Sequence, residues 1–110
     1  MIAKDHRFTR RQFAAARKRM KSFRSGPFLF LYRTNPKVHS KFAVVVKKKI
    51  EKRAVVRNRF KRSVYTHLQE KFLNQFSNLQ LICLHQGKDM KSLEKEAFNK
   101  FSEHYQQTLT

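Results

Sequence analysis

KKKIEKRAVVRNRFKRSVYTHLQEKF, residues 47–72, changes character halfway along. Its first half carries Lys47, Lys48, Lys49, Lys52, Arg53, Arg57, Arg59, Lys61 and Arg62 against one acid, Glu51. From Ala54 onward no residue breaks a helix, and Val56, Phe60, Val64 and Leu68 recur every four residues, the period of one buried helical face. At about 100° per residue, Arg57, Asn58, Lys61 and Arg62 fall on the adjoining arc, and Arg59 flanks the apolar row on its other side. The stretch predicts a helix with one side for a protein core and another for phosphates.

Most charge runs are no more than solvated faces. Such faces usually alternate in sign, because like charges at i,i+4 repel while opposite ones help each other. Here cations follow one another through the first turns, which calls for an anionic partner. Arg outnumbers Lys between residues 53 and 62, and its planar fork suits phosphate oxygens and base edges. Nucleic acid is the partner these features point to.

The segments on either side read as strands. FLFLYR (28–33) is short and aromatic, with Phe28, Phe30 and Tyr32 on one face and Leu29, Leu31 and Arg33 on the other. KFAVVV (41–46) is β-branched, and LQLICLH (79–85) is a third strand. The near-continuous apolar character of the first two implies a sheet covered at least in part on both faces. Upstream, Thr9-Arg10-Arg11-Gln12 fits a capping box, with Phe8 and Phe13 spaced as a hydrophobic staple, so a basic helix is predicted from there to about Met20. Residues 1–8 read as an extended lead-in. Gly26-Pro27 and Asn35-Pro36 are punctuation. A short strand over 22–25 does not emerge from propensity alone. Leu93, Ala97, Phe98, Phe101 and Tyr105 mark an amphipathic closing helix with Ser92 as its cap. Strand, basic helix, strand predicts a βαβ unit, whose crossover general physics would make right-handed.

At 110 residues the chain has room for one domain with one core, residues 1–110. Eleven Phe residues suffice for a modest core, so this is not a disordered tail. A net charge of +19 points to polyanions and opposes folding by self-repulsion. The lone Cys83 rules out an internal disulfide framework and reads as a small buried hydrophobe. No apolar run reaches membrane length, and the N-terminus lacks a signal-peptide core, so a cytoplasmic protein is expected.

The acids Asp5, Glu51, Glu70, Asp89, Glu94, Glu96 and Glu103 are scattered, whereas a two-metal nuclease needs clustered carboxylates. His6, His39, His67, His85 and His104 show no zinc spacing with each other or with Cys83. A protein without a metal of its own is therefore expected. His6 and His39 lie in loops where an acid–base pair is conceivable, but nothing in the sequence selects it.

Lys48-Lys49, then Arg53-Ala54, then Arg57-Asn58-Arg59-x-Lys61-Arg62 resembles the signature of the bacterial ribonuclease P protein subunit, with its RNR helix. The resemblance extends from His6-Arg7 to the final helix. Ile50-Glu51-Lys52 stands where many members have a glycine, and Lys47 where many have a small polar residue. The resemblance implies an α+β fold of order α-β-β-β-α-β-α, with a four-stranded sheet, packed helices and a left-handed βαβ crossover. It implies a catalytic centre with Mg²⁺ in an RNA subunit, while the protein binds that RNA and the 5′ leader of precursor tRNA. No membrane or obligate protein partner is expected. Lys48, Lys49, Arg53, Arg57, Asn58, Arg59, Lys61 and Arg62 are then candidates for the RNA subunit. Arg57, Asn58 and Lys61 are open to the leader as well.

Aromatic faces beside cations suit single-stranded RNA. Phe13 and Tyr32 match family positions lining the leader cleft, and Arg17 stands where the family has a further aromatic, a cation able to stack or bind phosphate. The rival reading is a structural RNA-binding protein, such as a basic ribosomal component with no part in catalysis.

Overall fold

The computed structural model describes residues 6–37, 39–86 and 95–109. Its elements are α1 (Arg10–Arg17), β1 (Lys21–Ser25), β2 (Phe28–Thr34), β3 (Lys41–Val46), α2 (Ala54–His67), a π-helical continuation (Leu68–Phe72), the closing turn α3 (Leu73–Gln75), β4 (Leu79–His85) and α4 (Lys95–Leu109). The architecture is α+β, with the expected order of helices and strands. The capping box forms: Gln12 N–H donates to Thr9 Oγ1 at 3.2 Å, and Thr9 N–H donates to Gln12 Oε1 at 3.0 Å. The helix it starts is shorter than the sequence suggests, ending at Arg17 because the chain turns to begin β1 at Lys21. That strand, KSFRS, escapes propensity because its pairing with β2 defines it. Gly26 links the two at φ +57°, a left-handed conformation that residues with a Cβ rarely adopt.

One sheet of order β1-β2-β4-β3 results, with β1, β2 and β4 antiparallel neighbours and β3 parallel to β4. Parallel neighbours cannot be joined by a tight hairpin, so the chain must travel the sheet's length between them, and α2 makes that passage. All seven residues of β4 are buried, as befits a central strand covered on both faces.

The two faces are built differently. One packs Phe28, Phe30, Tyr32, Phe42, Val44 and Leu81 against Phe60, Val64, Leu68 and Phe72 of the α2 rod and Phe98, Phe101 and Tyr105 of α4. The other holds Ala43, Ile82 and Leu84 at its centre, with Phe8, Phe13, Met20, Leu29, Leu31 and Val45 partly buried around them under α1. Val56, placed by its spacing on the apolar row of α2, is only half-buried, while His67 joins the buried side. The lead-in is extended at Arg7, which pairs with Phe42 along the outer side of β3. Ser92 and Leu93, the expected cap and first apolar residue of the closing helix, lie outside the described residues.

Candidate nucleic-acid interface

The N-terminus of α2 carries cations with little to neutralise them. Its N-cap, Arg53, makes no side-chain capping bond, and the first turn contains no acid. The leading N–H groups and the positive end of the helix dipole are therefore left for an anion. A tight turn, in which Ile50 and Glu51 N–H donate to Lys47 O at 3.0 and 3.2 Å, presents Lys47, Lys48 and Lys49 exposed beside this end. Asn58, Arg59 and Arg62 are exposed further along, and Lys61 half-exposed. Val55, 69 % exposed among them, is the exposed large apolar side chain of this surface.

Two of the predicted RNA-binding arginines also have partners within the protein. Arg53 Nε lies 2.7 Å from Glu51 Oε1, and this bond to Arg53 holds the Glu51 carboxyl below its usual pKa. The one acid among residues 47–62 is thus engaged by Arg53. Arg57 Nη1 donates to Glu51 O at 2.8 Å and Lys52 O at 3.0 Å, tying the loop to the helix that follows. Arg57 shapes the surface, and its remaining N–H groups are available to a ligand.

A second cationic region lies on the other side of the sheet. Arg33, Gln80 and Lys41 sit side by side across β2, β4 and β3. Together with Gln12, Ala15, Lys18 and Arg19 they line a groove of about 570 Å³ between α1 and the sheet. Gln80 is only 7 % exposed, and its Oε1 is buried without a hydrogen-bond partner among the described residues. Sequence reasoning put Arg33 on the Leu29/Leu31 face but did not single it out. Alternation was the available signal, and the missing information was that α1 stops short of this end of the strand.

Of the three residues expected to line a leader cleft, Phe13 and Arg17 stay on the α1 side and Tyr32 does not. Phe13 is half-buried and meets Phe8 edge-on, with ring centroids 6.3 Å apart. Arg17 is exposed, and the groove is lined by its neighbours Ala15, Ala16, Lys18 and Arg19 instead. Tyr32 is 5 % exposed on the opposite face, packed edge-on to Phe101 and Tyr105, with its hydroxyl 2.9 Å from His104 Nε2. Burial raises its phenol pKa. Strand alternation forbids Tyr32 from sharing a surface with Phe13, since residues on the α1 face of β2 are Leu29, Leu31 and Arg33.

His6 and His39 do come together, with ring centroids 6.0 Å apart and His6 Nδ1 2.7 Å from Ser40 O. Cys83 is fully buried, and burial pushes its thiol pKa up, away from thiolate chemistry. Among the described residues no three His, Cys, Asp or Glu side chains gather as a metal site. Asp5, Asp89 and Glu94 lie outside them. Also among the described residues, no helix is long and apolar enough to cross a membrane.

Fold and surface together define a small basic α+β protein with one cationic helix end and one cationic groove on opposite sides of a mixed sheet. The chain belongs to the Ribonuclease P family, whose model matches residues 2–109. The fold is that of solved ribonuclease P proteins. A Staphylococcus aureus RNase P protein mutant, described as defective in mRNA degradation activity, aligns with TM-score 0.73 and 19 % identity over 91 % of this chain and 85 % of that one. The Thermotoga maritima RNase P protein aligns with TM-score 0.64 and 26 % identity over 91 % and 90 %. The same protein in complex with 1-(4-fluorophenyl)-2-thiourea gives 0.69 and 24 % over 84 % and 92 %. No curated protein sequence matches the chain.

Proposed function

We propose that this chain is the protein subunit of a ribonucleoprotein endonuclease that removes 5′ leaders from precursor tRNA, with the catalytic centre and its Mg²⁺ in the RNA. The observation that carries the proposal is the uncapped, cation-laden start of α2 in a chain matched from end to end by the Ribonuclease P family. Lys48, Lys49, Arg53, Asn58, Arg59, Lys61 and Arg62 bind phosphates of the RNA subunit, and Arg57 holds the loop that presents them. The leader runs along the α1 side of the sheet. Arg33, Lys41, Lys18 and Arg19 meet its phosphates there, and Phe13 and Arg17 offer further contacts along α1. Tyr32 is reassigned to the core.

Reconstitution tests this reading. The protein, added to a bacterial ribonuclease P RNA and a labelled precursor tRNA, should stimulate leader removal at low Mg²⁺, and the protein alone should cleave nothing specifically. A basic structural protein of another assembly would bind RNA without this stimulation. Affinity for the RNA subunit should fall steeply with salt, and Arg59→Ala should make the log–log slope shallower by about one unit. A slope that Arg59→Ala leaves unchanged removes that residue from the phosphate contacts.

A further inference from the structure

A second groove joins two arginines of the RNR signature, Arg59 and Arg62, to residues beyond it. It is a groove of about 390 Å³ between the second half of α2 and the first turn of α4, lined by Arg59, Arg62, His67, Glu70 and Lys95. Ser63 and Thr66 also border it, but their hydroxyls donate to Arg59 O and Arg62 O of their own helix. The donors that face a ligand are therefore the three cations and the imidazole. Glu70 is the single acid, and among the described residues it has no ion pair.

His67 distinguishes this groove from ordinary surface charge. The residue is 8 % exposed, its ring lies 5.1 Å from that of Phe98 and 6.3 Å from that of Phe72, and its nitrogens make no hydrogen bond among the described residues. The body of the ring is thus fixed in the core while its polar edge lines the groove, where it can hydrogen-bond a ligand. Burial lowers its pKa first, Lys95 and Lys71 lower it further, and Glu70 opposes them. In the free protein its packing and the cations of α4 and of the π-helical continuation disfavour the protonated ring. An anion seated between Arg59, Arg62 and Lys95 reverses that balance, because it screens Lys95 and accepts a hydrogen bond from the protonated ring.

We propose that this groove binds a backbone phosphate of the RNA, with Arg59, Arg62 and Lys95 holding the diester and His67 donating to it as imidazolium. The proposal rests on the reading that α2 binds the RNA subunit, and it extends the contacts of Arg59 and Arg62 to His67 and to Lys95 of α4. RNA following both sites would pass from the cationic start of α2 across to α4. Binding there takes up one proton, so affinity rises as pH falls.

The test is the pH dependence of affinity between the intact protein and a bacterial ribonuclease P RNA, at fixed salt, for wild type, His67→Gln and Lys95→Ala. Wild type should gain about three- to tenfold more affinity than His67→Gln on going from pH 8 to pH 6, since one unit of pKa shift corresponds to a factor of ten. Lys95→Ala should weaken binding at both pH values. Because His67 touches the core, the wild-type ring is also followed by NMR. Its titration midpoint should move up when inorganic phosphate replaces chloride and further when RNA binds; movement with RNA alone would still support a strand-borne phosphate. Equal pH dependence in wild type and His67→Gln, or a midpoint that ignores both anions, overturns the groove while leaving RNA binding by α2 intact. Absence of RNA binding at any pH overturns both.

Discussion

Within the single strand β2, Phe28, Phe30 and Tyr32 are sealed beneath α2 and α4, whereas Leu29, Leu31 and Arg33 are only half-covered by α1. The difference follows from the helices rather than the strand. α4 runs fifteen residues and α2 fourteen before its π continuation, enough to close one face from end to end. α1 has eight residues and covers the other face only in part. The polar row Arg33–Gln80–Lys41 occupies what α1 leaves open. One face is therefore closed by its helices and the other left partly open, and a residue's place in the alternation decides which it meets.

The largest expected effect is a contrast across the sheet. Phe98 is fully buried and packs against Phe28, Phe30 and Phe72, so Phe98→Ala should cost about 3–5 kcal/mol in a denaturant titration. Leu31→Ala, on the half-covered face, should cost roughly 1–2 kcal/mol, less than a fully buried leucine contributes. Equal losses would mean that α1 closes its face as tightly as α4 does.

Neighbouring residues of β2 sharpen the comparison. Arg33→Ala should weaken binding of precursor tRNA by about 1.5–3 kcal/mol, as loss of a charged hydrogen bond implies, provided the leader is several nucleotides long. Tyr32→Phe should leave leader binding unchanged and cost about 0.5–1.5 kcal/mol of stability through the lost contact with His104. Leader-dependent loss for Tyr32→Phe, with Arg33→Ala silent, would exchange the roles of the two faces.

A smaller effect is expected at the start of α1. Thr9→Ala removes the capping box and should cost about 1 kcal/mol. Since α1 rests on the thinner cluster, amide exchange should quicken in α1 before it quickens in α2 or α4. Uniform acceleration would argue that the two faces unfold as one unit.

The smallest effect is electrostatic. The folded pKa of His67 lies below its unfolded value, so the unfolded chain binds the proton more readily. Stability from this residue is complete above the unfolded value of roughly 6.5 and declines as pH falls through the folded one. Melting temperature should drop on acidification from pH 7.5 to 5.5, and by less in His67→Gln. The same drop in both proteins would assign the dependence to other histidines.

By itself the sequence determined whatever depends on near neighbours along the chain. The Thr9/Gln12 cap, the period of Phe60, Val64 and Leu68, the alternation in FLFLYR and the clustering of cations before Ala54 are all local, and the elements they encode are present. Only the tertiary structure decided which helix covers which face. Both faces of FLFLYR are apolar, so alternation separates Tyr32 from Leu31 without saying which of them meets α1. It also decided that β1 exists, since pairing with β2 stabilises a segment of weak propensity. His6 meeting His39, Gln80 between two cations, and His67 beside Lys95 are likewise contacts between segments distant in the chain. Periodicity reaches one or two turns of backbone, and these sites are made where separate elements meet, which is why packing rather than spacing placed them.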